Sequence, residues 1–377
     1  MNVWGVTGTN GKTTTTWIFA EFLNAAPNRR CGSVTTVEVF DGARHFSTGY
    51  TTPPLAQLRE ILAAMEANGC TDCVMEVSSH AIHQNRTGET VFAGGAFTNL
   101  SEDHLDYHKT MEEYFRVKAS FAEKIAHQHT SRPDMGRRDL PPYIVSLDGE
   151  NGEKMLGAVG NFAVNAMPVT IRKSAFDLSR LQLAGDYNKS NVLVAATLAE
   201  AAGVSHDVIQ RVIPTLRARW GRLERIENPH VKADVYVDFA HTPDGLEKVL
   251  KAARAFTKGT LWVVFGAGGD RDPMKRPLMG AACALFADRL VVTSDNPRRE
   301  EPMAIIEAIL GGVRAHASSD RVMVEPDRRA AIEYALSHAD AGDVVIVAGK
   351  GHETTQEIRG VKYPFDDRLL VAEFSPH

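Results

Sequence analysis

A glycine-rich segment near the N-terminus has the residue types needed to bind phosphate. Its members are Gly8, Thr9, Asn10, Gly11, Lys12, Thr13 and Thr14. A turn of this kind between a strand and a helix directs backbone N–H groups and the helix N-terminus at an anion. Lys12 can reach the outer phosphates, and the Thr13 hydroxyl can bind magnesium. Val6 stands where the usual phosphate loop has its first glycine. An ordinary tight turn is the alternative, but the strand–loop–helix context favours a nucleoside triphosphate site.

Acidic and histidine side chains follow two further apolar runs. Glu76 ends the run CVME, and His104 belongs to the cluster DHLDYH that comes after GGAFTNL. Open α/β sheets bind ligands at the carboxyl ends of their strands, so Glu76 is a candidate magnesium ligand. By itself, however, a glutamate at a strand end is often only solvated. Lys118, on a helical pattern, reads alone as a salt-bridging surface lysine.

Short apolar runs alternate with amphipathic stretches along the whole chain, which is typical of parallel sheets covered by helices. A length of 377 residues suits two domains. We predict an α/β protein in which residues 1–216 form a P-loop-type central ATP-binding domain. Residues 217–377 form a Rossmann-like C-terminal domain without GxGxxG, built on the strands VYVDFA, LWVVFGA, RLVVTSD and DVVIVAG. The polar segment 127–142 is predicted to be a surface loop.

Composition narrows the class of protein. A net charge of −5 gives no reason to expect a nucleic-acid partner. No apolar run approaches the roughly 20 residues of a membrane span, and we expect no cleaved secretory signal. Cys70 and Cys73 form a CxxC, but no second ligand pair follows, so we expect buried thiols rather than zinc or redox chemistry. We expect a cytoplasmic monomer acting on small molecules.

The segment TGTNGKT resembles the nucleotide loop of the Mur ligases and of folylpolyglutamate synthetase. Further motifs follow in family order from residue 5 to about residue 367, and they are most similar to the MurE branch, which adds diaminopimelate in peptidoglycan precursor synthesis. The resemblance implies an ATP-dependent ligase that activates a carboxylate as an acyl phosphate and joins it to an amine. A catalytically silent nucleotide-binding module is an alternative from another class, which the intact motifs disfavour.

The resemblance also implies the metal site. DHLDYH followed by MEEYFRVK has the family's spacing to a lysine that is carbamylated in Mur ligases. By this match the catalytic residues are Lys12, Glu76, His104 and Lys118. Thr13 and Glu76 would hold one magnesium ion, and His104 and the carbamate on Lys118 would hold a second. Two cations would offset the repulsion between ATP and the substrate carboxylate.

Other matching positions are implied to contact substrates. For the muramoyl-dipeptide they are Thr51, Thr52, Ser78, Gln84 and Arg86. For ATP they include Asn188, Asn191, Arg222, Asp238 and His241. The motif TTPP also fits a helix start, with threonine as cap and proline in the first turn. Both interpretations of TTPP are compatible.

Three strand-end loops of the second domain are implied to bind diaminopimelate. Their candidate residues are Arg271, Asp295, Asn296, Pro297, Arg298, Gly349 and Glu353. Arg298 can clamp the second carboxylate of the amino acid with two hydrogen bonds, and Glu353 suits its ammonium. The alternative for Arg298 is a surface turn arginine. MurE-type ligases carry a UDP-binding domain before the nucleotide loop, which we expect this chain to lack. The carboxylate substrate is therefore either UDP-linked or a UDP-free γ-carboxylate.

Overall fold

The computed structural model of the chain describes residues 1–129 and 140–375. It divides into two compact units, Met1–Leu216 and Arg217–His377. Residues 130–139 of the predicted surface loop lie outside the described residues. At the edges of that loop the expectation is corrected, because a helix continues to His129 and a strand begins at Pro142.

The first unit contains an eight-stranded sheet with the order β4-β3-β2-β5-β1-β6-β7-β8. Its strands are β1 (Asn2–Thr7), β2 (Cys31–Val34), β3 (Val39–Phe40), β4 (His45–Phe46), β5 (Asp72–Glu76), β6 (Phe92–Phe97), β7 (Pro142–Ser146) and β8 (Asn165–Val169). Neighbouring strands pair in parallel across the sheet from β2 through β5, β1, β6 and β7 to β8. The short strands β3 and β4 pair antiparallel and form one edge. The central strands are apolar and buried on both faces, as expected for a sheet covered by helices.

Helices cover this sheet. They are α1 (Lys12–Asn24), α2 (Leu55–Ala67), α3 (Ser79–His83), α4 (Leu105–His108), α5 (Met111–His129), α6 (Gly152–Val159), α7 (Asp186–Ala201) and α8 (His206–Val212), with 3-10 turns at Ile171–Lys173 and Ile213–Thr215. Helix α2 is amphipathic: Leu58, Ile61 and Met65 recur at helical spacing, and this face is buried. Gly69, with φ 78°, follows the end of α2, where a left-handed backbone favours glycine.

The second unit contains a six-stranded sheet with the order β13-β12-β11-β14-β10-β9, in which only β9 is antiparallel. Its strands are β9 (Glu224–Ile226), β10 (Asp234–Asp238), β11 (Leu261–Phe265), β12 (Arg289–Val292), β13 (Val322–Val324) and β14 (Val344–Ala348), followed by a hairpin of β15 (Thr355–Ile358) and β16 (Val361–Pro364). Its helices are α9 (Pro243–Arg254), α10 (Lys275–Phe286), α11 (Pro302–Val313), α12 (Arg328–His338) and α13 (Asp367–Glu373), with a 3-10 turn at Ser319–Arg321. The predicted α/β fold class is confirmed.

The cysteines are buried and free. Cys73 lies in β5, Cys70 precedes this strand by two residues, and both are buried as expected. Burial raises the pKa of both thiols, so neither favours the reactive thiolate. No helix among the described residues is long and apolar enough to cross a bilayer.

Candidate active site

The glycine-rich loop connects β1 to α1 and depends on two glycines. Gly8 has φ 147° and Gly11 has φ 83°. A Cβ atom added to Gly8 would lie 1.9 Å from Oγ1 of Thr98, and one added to Gly11 would lie 2.2 Å from Oδ1 of Asn191. Only glycine therefore fits at these positions.

Hydrogen bonds from the end of β6 hold this loop in place. The backbone N–H of Thr9 donates to the carbonyl of Asn99 at 2.9 Å. The N–H of Asn10 donates to the Asn99 side chain at 3.0 Å, and the Thr98 hydroxyl donates to the Asn10 carbonyl at 2.6 Å. Thr13 and Thr14 follow in the buried first turn of α1. The loop is thus fixed beside the helix N-terminus, as an anion site requires.

We expect Gly11→Ala to weaken ATP binding about tenfold or more and to lower the free energy of unfolding by about 1–2 kcal/mol, because the new Cβ meets Asn191 and the left-handed backbone is strained. Calorimetric titration with ATP and thermal melting measure the two effects. Gly157→Ala is the matched control, since nothing lies within 4 Å of its added Cβ. Equal ATP affinity in the two variants would contradict the assignment of this loop.

The side-chain nitrogens of two lysines meet at one carbonyl oxygen of the loop. Nζ of Lys12 lies 3.0 Å from the Gly8 carbonyl oxygen, and Nζ of Lys118 lies 2.7 Å from the same atom. Lys118 is only 1% exposed, which contradicts its reading as a surface lysine. Burial, and secondly the charge of Lys12, hold the pKa of Lys118 well below its usual value. The site therefore favours a neutral amine at Lys118.

The Glu76 carboxylate lies beside the first turn of α1. Oε1 of Glu76 accepts hydrogen bonds from the Thr13 hydroxyl and from the N–H of Thr36, both at 2.8 Å, and Oε2 accepts from the Thr36 hydroxyl at 3.1 Å. Glu76 is 1% exposed. A carboxylate and a hydroxyl this close are oxygen donors of the kind that magnesium prefers. Thr36 was missed in the sequence, because nothing local relates it to Glu76.

His104 caps α4 with a left-handed backbone, φ 57°. Its Nε2 lies 3.3 Å from Oδ2 of Asp103. Desolvation lowers the pKa of His104 to about 4; the charge of Asp103 opposes the shift, while those of Lys12 and Lys118 add to it. The imidazole is therefore neutral at pH 7, which is the form that binds a metal.

The residues predicted to contact the muramoyl-dipeptide form one hydrogen-bonded group. The Thr51 hydroxyl lies 3.0 Å from the Thr36 hydroxyl oxygen and can donate to it, since the Thr36 proton is directed at Glu76. Nε of Arg86 donates to the Gln84 side chain at 2.8 Å, and Nη1 of Arg86 donates to the Thr52 carbonyl at 3.1 Å. These contacts bring the arginine to the threonine segment.

Thr52 and Ser78 complete this group at the end of β5. The Thr52 hydroxyl is fully buried; it donates to the Glu76 carbonyl at 2.8 Å and accepts from the Ser78 N–H at 3.1 Å. The Ser78 hydroxyl caps α3 by accepting from the N–H of Ala81. Thr52 thus positions the segment, whereas Gln84 is exposed and Thr51, Ser78 and Arg86 are half-buried.

Asn188 and Asn191 lie on α7 and are buried. Oδ1 of Asn191 accepts from the Thr15 hydroxyl of α1 at 3.3 Å, and Nδ2 of Asn188 donates to the Ala184 carbonyl at 2.8 Å. Because Asn191 packs against Gly11, α7 supports the glycine-rich loop. The contact of Asn188 and Asn191 with ATP stays a prediction.

In the second unit the carboxylate of Asp238 organises the end of β10. Oδ2 accepts from the N–H of Leu223 at 2.6 Å, and Oδ1 accepts from the N–H of Ala240 at 2.7 Å. Burial raises the pKa of Asp238 to about 6, while the charge of Arg222 opposes the shift. The carboxylate therefore joins the segment before β9 to the loop after β10.

Phe239 contacts the other two candidates of this loop. The Arg222 guanidinium lies 4.4 Å from the centre of the Phe239 ring, and the His241 ring centre lies 4.6 Å from it. Nδ1 of His241 also lies 2.7 Å from the Phe239 carbonyl oxygen. The contact of Arg222 and His241 with ATP stays a prediction.

The loops after β11, β12 and β14 contain the residues predicted to bind the amino acid. Nη1 of Arg298 donates to the Gly269 carbonyl at 2.7 Å, and Nε of Arg298 lies 3.6 Å from a Glu357 oxygen. A Cβ added to Gly268 would lie 2.9 Å from Nη1 of Arg298 and 3.6 Å from Cγ of Arg271. Two arginines therefore flank Gly268, and Arg271 is exposed.

The remaining members of this group surround Gly349 and Glu353. Nδ2 of Asn296 donates to Oε2 of Glu353 at 2.8 Å. A Cβ added to Gly349, which has φ 112°, would lie 2.4 Å from Oδ2 of Asp295. That oxygen is buried and has no hydrogen-bond partner within the described part of the chain. The Pro297 carbonyl accepts from the N–H of Glu300 at 3.0 Å.

Within residues 1–129 and 140–375, no three His, Cys, Asp or Glu residues are grouped to hold an ion. This fits the predicted donor set, which contains one acid, one histidine, a hydroxyl and a lysine that becomes acidic only on carbamylation. Glu76 and Thr13 thus suit one magnesium ion as they stand, and a second ion beside His104 would need the carbamate on Lys118.

Comparison with known proteins defines the class. Residues 6–199 match the Mur ligase middle domain, and residues 221–351 match the Mur ligase glutamate ligase domain. The chain belongs to the Mur ligase family, which confirms the resemblance seen in its motifs.

Individual relatives show which ligases of the family the chain resembles. The chain is 41% identical to the UDP-N-acetylmuramoyl-L-alanyl-D-glutamate--2,6-diaminopimelate ligase of Aquifex aeolicus (strain VF5), over 99% of this chain and 77% of that protein. A solved structure of a ligase of the same name is 31% identical, with a TM-score of 0.61, and the match covers 98% of this chain and 77% of that one. Mycobacterium tuberculosis folylpolyglutamate synthase shares the fold, with a TM-score of 0.63. It is 19% identical, and the match covers 92% of this chain and 88% of that one.

Proposed function

We propose that the chain joins diaminopimelate to the γ-carboxylate of a muramoyl-dipeptide, with cleavage of ATP to ADP and phosphate. The observation that carries this proposal is the grouping of Lys12, Lys118 and the Thr13–Glu76 pair at one loop. Such a set can bind a triphosphate and offset the charge of a carboxylate that attacks it. The names of the relatives at 41% and 38% identity support the choice of substrates.

In the proposed reaction a carboxylate oxygen of the substrate attacks the γ-phosphorus, and the bond to the β,γ-bridging oxygen breaks to release ADP. The amine then attacks the acyl carbon, phosphate leaves with the former carboxylate oxygen, and the amine loses a proton. Lys12 and the loop N–H groups would bind the phosphates. Thr13 and Glu76 would hold one magnesium ion, which when bound would offset the charge on the γ-phosphate.

We further propose that Lys118 reacts with carbon dioxide. Its neutral amine would add to the carbon, and loss of one proton would leave a carbamate. The full burial of Lys118 and its position beside Lys12 at the Gly8 carbonyl support this, because both favour the neutral amine that reacts with carbon dioxide. With neutral His104, the carbamate would hold a second magnesium ion.

In the second unit Arg298 and Glu353 would recognise the distal carboxylate and ammonium of diaminopimelate, with Arg271, Asp295, Asn296 and Gly349 around them. An arginine and an acid suit this zwitterionic centre, which lysine, as a competing substrate, has only in part. Asn188, Asn191, Arg222, Asp238 and His241 are proposed to serve ATP binding.

Phosphate release tests this function. We expect release only when ATP, magnesium, a muramoyl-dipeptide and diaminopimelate are all present, with lysine a poor replacement. Arg298→Leu should lower kcat/KM for diaminopimelate about 100-fold, because it loses a charged, two-point contact. Arg299→Leu is the matched control, since its side chain is 80% exposed.

The substrate comparison has distinct outcomes. The UDP-linked dipeptide and the same compound without UDP are tested in parallel, and activity only with the second would assign a UDP-free γ-carboxylate. No phosphate release in any combination would contradict the ligase and favour a silent nucleotide-binding module.

A further inference from the structure

Lys350 lies in the loop after β14, and its side chain is fully buried. Lysine is almost never buried to this degree unless its charge is paired. Its Nζ donates to the Thr355 carbonyl at 2.7 Å, to Oε2 of Glu353 at 2.9 Å and to Oδ1 of Asn296 at 3.3 Å. All three donors of the ammonium group therefore have acceptors.

These contacts fix the orientation of Asn296. Its Oδ1 accepts from Lys350 and also from the N–H of Glu357 at 2.9 Å. The NH₂ group of the amide consequently turns to Glu353 and donates to Oε2 at 2.8 Å. A flipped amide would place its NH₂ against two donors, so this orientation is strongly preferred.

The same contacts give the two oxygens of Glu353 different environments. Oε2 accepts from both Lys350 and Asn296. Oε1 accepts no hydrogen bond from the residues that the structure describes, and the side chain is 35% exposed. Lys350 thus fixes one oxygen, and the other is left to accept a hydrogen bond from a ligand.

We propose that Lys350 is a positioning residue for the amino-acid substrate, orienting Glu353 and Asn296 so that Oε1 of Glu353 meets the distal ammonium of a diamino acid. The inference rests on the proposed function, in which Glu353 and Asn296 bind diaminopimelate. The sign of the effect is diagnostic. As a charge alone, Lys350 would repel an ammonium group, so its removal would tighten binding; as a positioning group, its removal loosens binding.

Steady-state kinetics of the full chain test this role. Lys350→Met keeps the length and apolar stem but removes the three donors. We expect the KM for diaminopimelate to rise about 10- to 100-fold, with kcat changed less than about threefold and the KM for ATP unchanged. Lys350→Gln, which retains a donor, should lie between wild type and Lys350→Met. Lys362→Met, on exposed β16, is the matched control.

A double-mutant cycle tests whether Lys350 acts through Glu353. Glu353→Gln should raise the same KM, and the double variant should be far less impaired than the product of the two single effects. Additive effects, or a KM that falls or stays unchanged in Lys350→Met, would overturn the proposal. If Lys350→Met fails to fold, the double-mutant cycle with Glu353→Gln is measured on Lys350→Gln instead.

Calorimetric titration with diaminopimelate separates this inference from the proposed function, since it needs no turnover. Binding by the wild type that weakens in Lys350→Gln, with no phosphate release, would support the positioning role and contradict the ligase. Turnover with unchanged binding in Lys350→Gln and Lys350→Met would support the ligase and contradict the positioning role. Absence of both binding and turnover in the wild type would overturn both.

Discussion

Replacing Lys118 by alanine is expected to lower the rate of amide formation by about 10³-fold or more, because the site loses the group that would carry the carbamate and, with it, the second magnesium ion. Phosphate release with saturating ATP, dipeptide and diaminopimelate measures the loss. The fold should tolerate the change, since Lys12 still donates to the Gly8 carbonyl. A short carboxylic acid such as formate should restore part of the activity by supplying the missing oxygens.

Two further variants separate the carbamate from a simple positive charge. Lys118→Arg keeps a cation but cannot form the carbamate, so it should be as inactive as the alanine variant. Lys154→Ala, which removes a half-exposed lysine from α6, should retain full activity. Full activity in Lys118→Ala would remove the proposed role, and activity in Lys118→Arg would show that charge alone suffices.

The second large effect is expected for Glu76→Gln, which should lower kcat about 10²- to 10³-fold. The amide keeps the size of the side chain, and its oxygen can still accept from Thr13 and Thr36, but the negative charge that would hold magnesium is lost. The activity of the variant should require a higher magnesium concentration than that of the wild type. A magnesium titration of the phosphate-release rate measures this shift.

A matched variant makes the Glu76 result specific. Glu38→Gln changes a glutamate two residues after Thr36, whose carboxylate contacts His45 rather than the glycine-rich loop. It should leave the magnesium dependence unchanged. An identical magnesium dependence in Glu76→Gln and wild type would argue against Glu76 as a ligand, whatever the loss of rate.

The strands that carry the site were predictable because each is a continuous apolar run. The apolar run CVME ends the buried strand β5, and LWVVFGA contains the buried strand β11, so Glu76 was expected at a strand end. The edge strands β3 and β4 were not predicted, because two residues each provide no periodic pattern.

Contacts between distant residues could not be derived from local patterns. Thr36 touches Glu76 only because β2 pairs with β5, a pairing that no short motif encodes. Lys118 and Lys350 both occur in polar contexts in which lysine is usually exposed, yet tertiary packing buries each of them. For Lys118 the family resemblance supplied a role that its immediate neighbours did not, and for Lys350 no sequence signal indicated burial.

The central claim is that ATP phosphorylates the carboxylate of the substrate before the amine attacks. The most direct test uses a muramoyl-dipeptide whose γ-carboxylate is labelled with oxygen-18, followed by mass spectrometry of the released phosphate. Transfer of one labelled oxygen to each phosphate is the predicted result. Phosphate without the label, formed together with the amide, would contradict an acyl phosphate and the account built on it.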